Sequence, residues 1–204
     1  MNRKLAVLGL GIENLALVKY LAGKGDELTV CDSRDRIALG ERYELLTQLG
    51  VTFRLGPDYL ERLEDFDTVF RSPGLPLFQP ELRQAEAKGV EVTSAMRLFL
   101  DLCPCPTIGV TGSKGKGTTS SLIHRILTLS QAKKGSQAFL GGNIGIAPFE
   151  FLPRLRPEDR VVLELSSFQL EDCHRSVDIA AITNITEDHL APADPLNPNY
   201  HKSR

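Results

Sequence analysis

Short apolar runs alternate with amphipathic stretches from the first residues onward. Lys4 to Gly9 reads as a buried strand, and Glu13 to Ala22 places Leu15, Val18, Leu21 and Ala22 on one helical face. Leu28 to Cys31 is a second strand. A strand, a helix and a strand within about 30 residues make a right-handed βαβ unit. The pattern continues as a helix over Ile37 to Leu49 and a strand over Asp67 to Arg71. Pro80 to Lys88 is a helix that starts at a proline and stops at Gly89.

Leu102-Cys103-Pro104-Cys105-Pro106 interrupts this pattern, since proline favours extended, non-helical backbone. It reads as a linker or domain seam. A second series follows: a strand at Thr107 to Thr111, a helix at Lys116 to Leu129 with Leu122, Ile123, Ile126 and Leu127 facing inward, and strands at Arg160 to Leu165 and Asp178 to Asn184. Two α/β units are expected, each opening with strand, glycine loop and helix. Ala191 to Arg204 is rich in Pro and Asn and ends where a helix would begin.

Composition narrows the class. The 204 residues are 42% hydrophobic and 25% charged, with a formal net charge of -2, which excludes a disordered chain, and no apolar run reaches the roughly 18 residues of a membrane span. Without a basic block, nucleic acid is not an expected partner. The chain has no Trp, so aliphatic side chains must dominate the core. Cys31, Cys103, Cys105 and Cys173 are too scattered for a disulfide framework or a zinc ribbon. Cys103-Pro104-Cys105 has one intervening residue where redox motifs have two and lacks their helix start, so ordinary reduced thiols in a cytoplasmic protein are expected. Glu13 and Asn14 cut the N-terminal apolar run too early for a secretory signal.

Two glycine loops carry the chemistry. Gly9-Leu10-Gly11-Ile12-Glu13-Asn14 joins a strand to a helix, where free N–H groups and the helix dipole favour a phosphate. Asn14 replaces the third glycine of the dinucleotide fingerprint, and Asp32 closes the second strand where an acidic side chain can accept ribose hydroxyls. The loop fits a dinucleotide-type fold holding a ligand other than a nicotinamide; a nicotinamide site stays open as an alternative. Gly109-Val110-Thr111-Gly112-Ser113-Lys114-Gly115-Lys116-Gly117-Thr118-Thr119 is more specific. Its backbone N–H groups can cradle phosphate oxygens, Lys116 can neutralise the β/γ-phosphates, and a hydroxyl beyond it can join a Mg²⁺ shell. It departs from the strict P-loop pattern at Val110 and Gly117.

Glu164 ends the apolar run VVLEL, where a carboxylate is costly unless paired or metal-bound, and so is a candidate Mg²⁺ ligand. A solvent-facing strand-end carboxylate is the plainer reading. Thr183 to His189 follows the next strand and brings a histidine beside Glu187 and Asp188; one histidine by itself is no metal site.

Taken in order, GLGIENL at 9–15, SPG at 72–74, GVTGSKGKGTT at 109–119, GGNIG at 141–145, ELSSFQLE at 164–171 and NITEDH at 184–189 resemble the Mur ligases, and within them the branch that adds D-glutamate. The resemblance spans nearly the whole chain. It implies a Rossmann-like UDP-binding domain over 1–94, a linker over 95–106 and part of a P-loop-type mononucleotide-binding α/β domain over 107–204. It further implies uridine contacts from Glu13, Asn14, Asp32 and Ser33, with Ser72 and Gly74 near the diphosphate. Gly112, Ser113, Lys114, Gly115, Lys116, Gly117 and Thr118 would hold ATP, Glu164 and His189 magnesium, and Asn143 and Ser166 the muramoyl substrate. Lys202, in a Lys-x-Arg setting, is the candidate for the family's carbamylated lysine, a further Mg²⁺ ligand. Lys116, His189 and Lys202 are thus the expected catalytic residues. The implied reaction passes the γ-phosphoryl of ATP to the carboxylate of UDP-N-acetylmuramoyl-L-alanine, and the amine of D-glutamate attacks the acyl phosphate. A cytoplasmic monomer is the family expectation.

Two departures stand out. Gly117 occupies the place where this branch carries a Ser or Thr, whereas the related folylpolyglutamate synthetases resemble this sequence in having Gly before the hydroxyl residue, which assigns the magnesium hydroxyl to Thr118. The family also has a longer central domain and a C-terminal glutamate-binding domain, so the chain is expected to be an inactive fragment by itself. The alternatives are a non-catalytic UDP-sugar or nucleotide-binding module and, on the first loop alone, a nicotinamide-dependent dehydrogenase.

Overall fold

In a computed structural model, the structure describes residues 2–187 and the backbone of 192–194 and 197–201. It divides into two compact units, Met1–Ala95 and Met96–Arg204.

The first unit is a five-stranded parallel sheet. Its strands are β1 (Lys4–Leu8), β2 (Glu27–Asp32), β3 (Thr52–Leu55), β4 (Thr68–Arg71) and β5 (Glu91–Ser94), ordered β3-β2-β1-β4-β5. Parallel neighbours need crossovers, supplied mainly by α1 (Ile12–Leu21), α2 (Arg36–Leu39), α3 (Glu41–Gln48) and α4 (Pro80–Ala87). Because both faces are covered, β1 is fully buried from Leu5 to Leu8 and reads as a continuous apolar run. The strand order reverses at β1, whose neighbours β2 and β4 lead to opposite edges. Sheets of this kind bind ligands outside the carboxyl ends of the strands at such a switch point, so the loops after β1 and β4 sit at the expected place.

The second unit begins within α5 (Ala95–Leu102) and forms a four-stranded parallel sheet from β6 (Thr107–Thr111), β7 (Ala138–Gly142), β8 (Arg160–Glu164) and β9 (Ile179–Ile182), ordered β7-β8-β6-β9. The long α6 (Lys116–Ala132) connects β6 to β7, and short helices α7 (Pro148–Phe151) and α8 (Ser167–Leu170) flank β8. Phe99 of α5 is fully buried and meets Phe149 and Phe151 edge-on, with ring centroids 6.1 and 5.8 Å away. Such contacts contribute about 1 kcal/mol each beyond area burial.

Several sequence expectations change. The single helix over Ile37 to Leu49 is broken at Gly40, whose φ of 55° ends α2, and α3 starts at the next residue. Residues 95–106 contain α5, whose Ala95, Met96, Phe99 and Leu100 are buried on one helical stripe. On α6 the expected inward set divides: Ile123 and Leu127 are half-buried, but Leu122 and Ile126 are 59% and 65% exposed. The helix packs along β6, β7 and β8 and buries the polar Ser120 and Gln131, which turns Leu122 and Ile126 outward. Near the C-terminus, in the stretch rich in Pro and Asn, the backbone pairs as antiparallel strands, β10 (Pro192–Asp194) with β11 (Asn197–His201). Among the described residues, no helix is long and apolar enough to cross a membrane.

Candidate nucleotide and substrate sites

At the first switch point, the peptide of Leu10 is clamped on both sides. Its N–H donates to Asp32 Oδ2 at 2.6 Å, and its carbonyl accepts from Arg34 Nη2 at 3.0 Å and Arg42 Nη1 at 3.1 Å. Gly9 makes the turn at φ 77°, and a Cβ there would lie 3.2 Å from Cβ of Ser72, so the loops after β1 and β4 meet. Arg71, fully buried, donates to the carbonyls of Leu75 at 2.8 Å and Ser72 at 3.4 Å and fixes the turn carrying Ser72 and Gly74.

Asp32 is nearly inaccessible. Oδ1 accepts from the Arg34 backbone N–H and Nε, and Oδ2 from Leu10 N–H and Arg34 Nη2. Burial works to raise its pKa, but the Arg34 guanidinium and the two backbone donors outweigh it and hold the carboxyl below the usual range. The side chain expected to receive ribose hydroxyls therefore has its acceptor positions filled from inside the protein, and it anchors the loop. Asn14, the departure from the glycine fingerprint, is likewise buried; its Nδ2 donates to the carbonyls of Leu8 and Gly9 at 3.0 and 2.9 Å, while its Oδ1 has no partner. Ser33 is exposed and Glu13 half-buried at this crevice.

In the second unit the loop between β6 and α6 is held by the end of β9. Asn184 accepts from the Ser113 N–H through its carbonyl at 2.9 Å and from the Lys114 N–H through Oδ1 at 3.0 Å, and its Nδ2 donates to the Lys114 carbonyl at 2.9 Å. Thr183 Oγ1 donates to the same carbonyl at 2.6 Å. Gly112, at φ 131°, leaves no room for a Cβ against Thr183 and Asn184. Gly115 caps α6 in the left-handed region with no side-chain hydrogen bond, so the first N–H groups of the helix stay available to an anion. Lys116 Nζ lies over the loop, donating to the carbonyls of Gly112 at 2.6 Å and Ser113 at 3.3 Å.

Glu164 ends β8 beside this loop and is 4% exposed. Its Oε1 accepts from Asn143 Nδ2 at 3.3 Å; its Oε2 is buried with no hydrogen-bond partner. A Cβ at Gly117 would stand 3.1 Å from Oε2, so the carboxylate faces the first turn of α6. A buried carboxylate oxygen without a donor, next to a phosphate-type loop, fits a site for a hard cation such as Mg²⁺. Thr118 is exposed in that same turn. The loop bearing Asn143 lies against β8: Asn143 N–H donates to the Glu164 carbonyl at 2.8 Å, and Gly142, at φ 95°, has no room for a Cβ against that carbonyl. Ser166 caps α8 in a reciprocal box with Gln169.

His189 and Lys202 lie outside the described residues. Among the described residues no group of three or more His, Cys, Asp or Glu converges on one point. The structure thus brings Lys116, Gly117, Glu164 and Asn143 together. Sequence reasoning missed the clamps, Asn184 on the second loop and Arg34, Arg42 and Arg71 on the first. Asn184 stands about 70 residues from its partners, and spacing along the chain carries no signal for that contact.

Comparison with known proteins gives a consistent picture. The family model for the Mur ligase MurD-like N-terminal domain matches residues 3–94, and that for the Mur ligase middle domain matches residues 110–196. The chain is 44% identical over 190 residues to the UDP-N-acetylmuramoylalanine–D-glutamate ligase of Symbiobacterium thermophilum, covering 93% of this chain and 41% of that protein. It is 43% identical over 189 residues to the ligase of the same name from Ruminiclostridium cellulolyticum, covering 93% and 40%. Among solved structures, the UDP-N-acetylmuramate:L-alanyl-gamma-D-glutamyl-meso-diaminopimelate ligase of Neisseria meningitides superposes with a TM-score of 0.54 at 18% identity, covering 93% of this chain and 62% of that one. That likeness extends to the fold. The chain spans about two fifths of the length of these curated relatives.

Proposed function

Since the chain belongs to the Mur ligase family, we propose that it supplies the UDP-substrate and ATP-phosphate sites of an ATP-dependent ligase that joins D-glutamate to UDP-N-acetylmuramoyl-L-alanine in peptidoglycan synthesis. The whole reaction belongs to this proposal, as do residence in the cytoplasm and the division at about residue 95 into a UDP-binding and an ATP-binding domain. The observation that carries it is the partnerless Oε2 of Glu164 set against the first turn of α6.

In this reading the loop after β1 takes the uridine diphosphate. Ser33, Glu13, Ser72 and Gly74 contact it, and Asp32 and Asn14 act by holding the loop in shape. The N–H groups at the start of α6, from Lys116 to Thr118, receive the β- and γ-phosphates of ATP, Ser113 and Lys114 hold the loop through Asn184, and Lys116 Nζ exchanges its loop carbonyls for phosphate oxygens. Charge stabilisation of this kind is the main demand of phosphoryl transfer to a carboxylate, because negative charge gathers where the two anions meet. Glu164 and the Thr118 hydroxyl would hold Mg²⁺, with His189 and a carbamylated Lys202 as further ligands. When bound, the ion would supply positive charge that offsets the charge of the phosphates. Asn143 and Ser166 are assigned to the muramoyl end of the substrate. D-Glutamate then attacks the acyl phosphate, releasing phosphate and forming the amide.

The test is a titration of this chain with UDP and with a fluorescent ATP analogue, with and without Mg²⁺. We expect separate binding of both, and a Lys116→Ala change that weakens the ATP analogue and leaves UDP unchanged. Tight NADH binding without UDP binding would overturn the reading of the first loop. On the complete gene product, phosphate release requiring both D-glutamate and UDP-N-acetylmuramoyl-L-alanine tests the amide-forming step; its absence alongside normal nucleotide binding would favour a non-catalytic nucleotide-binding module.

A further inference from the structure

We propose that Cys103 and Cys105 form a reactive dithiol, a modification site for low-molecular-weight disulfides in which Cys103 is the attacking sulfur and Cys105 the resolving one. The site lies between the end of α5 and the start of β6, apart from both glycine loops, and nothing in the ligase reaction uses it. The two sulfurs are 3.8 Å apart across Pro104. A disulfide needs about 2 Å, so closure asks for a small displacement, and the single intervening residue leaves little loop entropy to lose.

Position divides the roles. Cys105 is buried, whereas Cys103 is half-buried, the more accessible residue of the two. The hydrogen bond between the thiols sets them apart chemically as well. It holds the Cys103 thiol below its ordinary range by stabilising the thiolate, and the same contact, with burial, pushes Cys105 up. Of the nearby charges, Asp178 opposes the thiolate and Arg175 favours it, so the thiol–thiol contact is what lowers Cys103. Cys31 differs, being buried, and burial pushes it up to about 11; Cys103 and Cys173 both donate to carbonyls, of Cys105 at 3.4 Å and of Gln169 at 3.1 Å.

The exchange balances as written. The Cys103 thiolate attacks one sulfur of the small disulfide, forming a mixed disulfide and releasing one thiolate. Cys105 gives its proton to solvent, and its sulfur attacks Cys103 Sγ, expelling the second thiolate. Two protein thiols are oxidised, and one small disulfide is reduced to two thiols.

The experiment treats the folded, reduced chain with a chromogenic aromatic disulfide and maps the products by mass after trypsin. Residues 98–114 carry Cys103 and Cys105 and no other cysteine, and Cys173 falls in 161–175. We expect residues 98–114 to react about tenfold faster than 161–175 and to end about 2 Da below their reduced mass, with no reagent attached. Cys105→Ser should keep the fast step and retain one reagent group on Cys103; Cys103→Ser should lose it. If either variant fails to fold, product mapping on the natural chain decides alone. Equal rates for the two peptides, or a stable reagent adduct on residues 98–114 of the natural chain, would overturn the proposal.

Discussion

Gly117 stands directly against Glu164, with room at its α-carbon for a side chain only if the carboxylate gives way by a few tenths of an ångström. The oxygen that faces it, Oε2, is buried and accepts no hydrogen bond. A hydroxyl at position 117 would therefore meet an acceptor with nothing else to bind. Gly117→Ser should raise the stability of the second unit by about 1 kcal/mol, through the better helix propensity of serine and a new hydrogen bond, less the cost of the tight contact. Differential scanning calorimetry should show a rise of roughly 2–4 °C; a fall would mean that Glu164 cannot shift.

Glu164→Gln removes the charge and keeps the shape. If the carboxylate waits for a cation, Mg²⁺ should lose its ability to tighten binding of an ATP analogue, by about tenfold, or about 1.4 kcal/mol. The ligand-free melting temperature should hold or rise, since a buried carboxylate with a donor on only one of its oxygens is replaced by a neutral amide. A loss of stability with an unchanged Mg²⁺ effect would assign Glu164 a structural role.

Asn184→Ala tests the clip on the phosphate loop. Three hydrogen bonds join this residue to Ser113 and Lys114, two of them through the side chain. Losing those two should cost about 1–2 kcal/mol and weaken ATP-analogue binding severalfold without changing UDP binding. Isothermal titration with both ligands separates the effects, and equal weakening of both would point to general unfolding.

Asp32 gives a pH signature. Its folded pKa lies below the ordinary value, because Arg34 and the Leu10 and Arg34 N–H groups outweigh burial. The stability it contributes is therefore complete above the ordinary carboxylate value of about 4 and is lost as pH falls through the depressed folded value. Asp32→Asn should cost the first unit about 2 kcal/mol at pH 7, a gap that narrows towards pH 3. Urea unfolding at the two pH values reads this directly; an unchanged gap would mean that the charge is not what holds Leu10.

The sequence by itself determined the α/β class, most strands of both sheets and both glycine loops, because a buried parallel strand is a continuous apolar run and a glycine loop before a helix is a local feature. It also pointed to Glu164, since a carboxylate closing an apolar strand is conspicuous within five residues. Tertiary structure decided what each group faces. Leu122 and Ile126 continue the apolar stripe of α6 but point to solvent, since a helical period does not say which strands will cover it. Asp32 has the fingerprint position for a ribose contact, yet Arg34 and Leu10 fill its oxygens. The strands β3, β5 and β7 were missed because none is a long apolar run: Arg54 interrupts β3, Val92 is the one aliphatic residue of β5, and β7 ends in Gly141 and Gly142. Asn184 reaches the phosphate loop only because β9 pairs with β6. Pattern fixes an element's type through neighbours a few residues away, whereas a site depends on directions that exist only once the strands have paired.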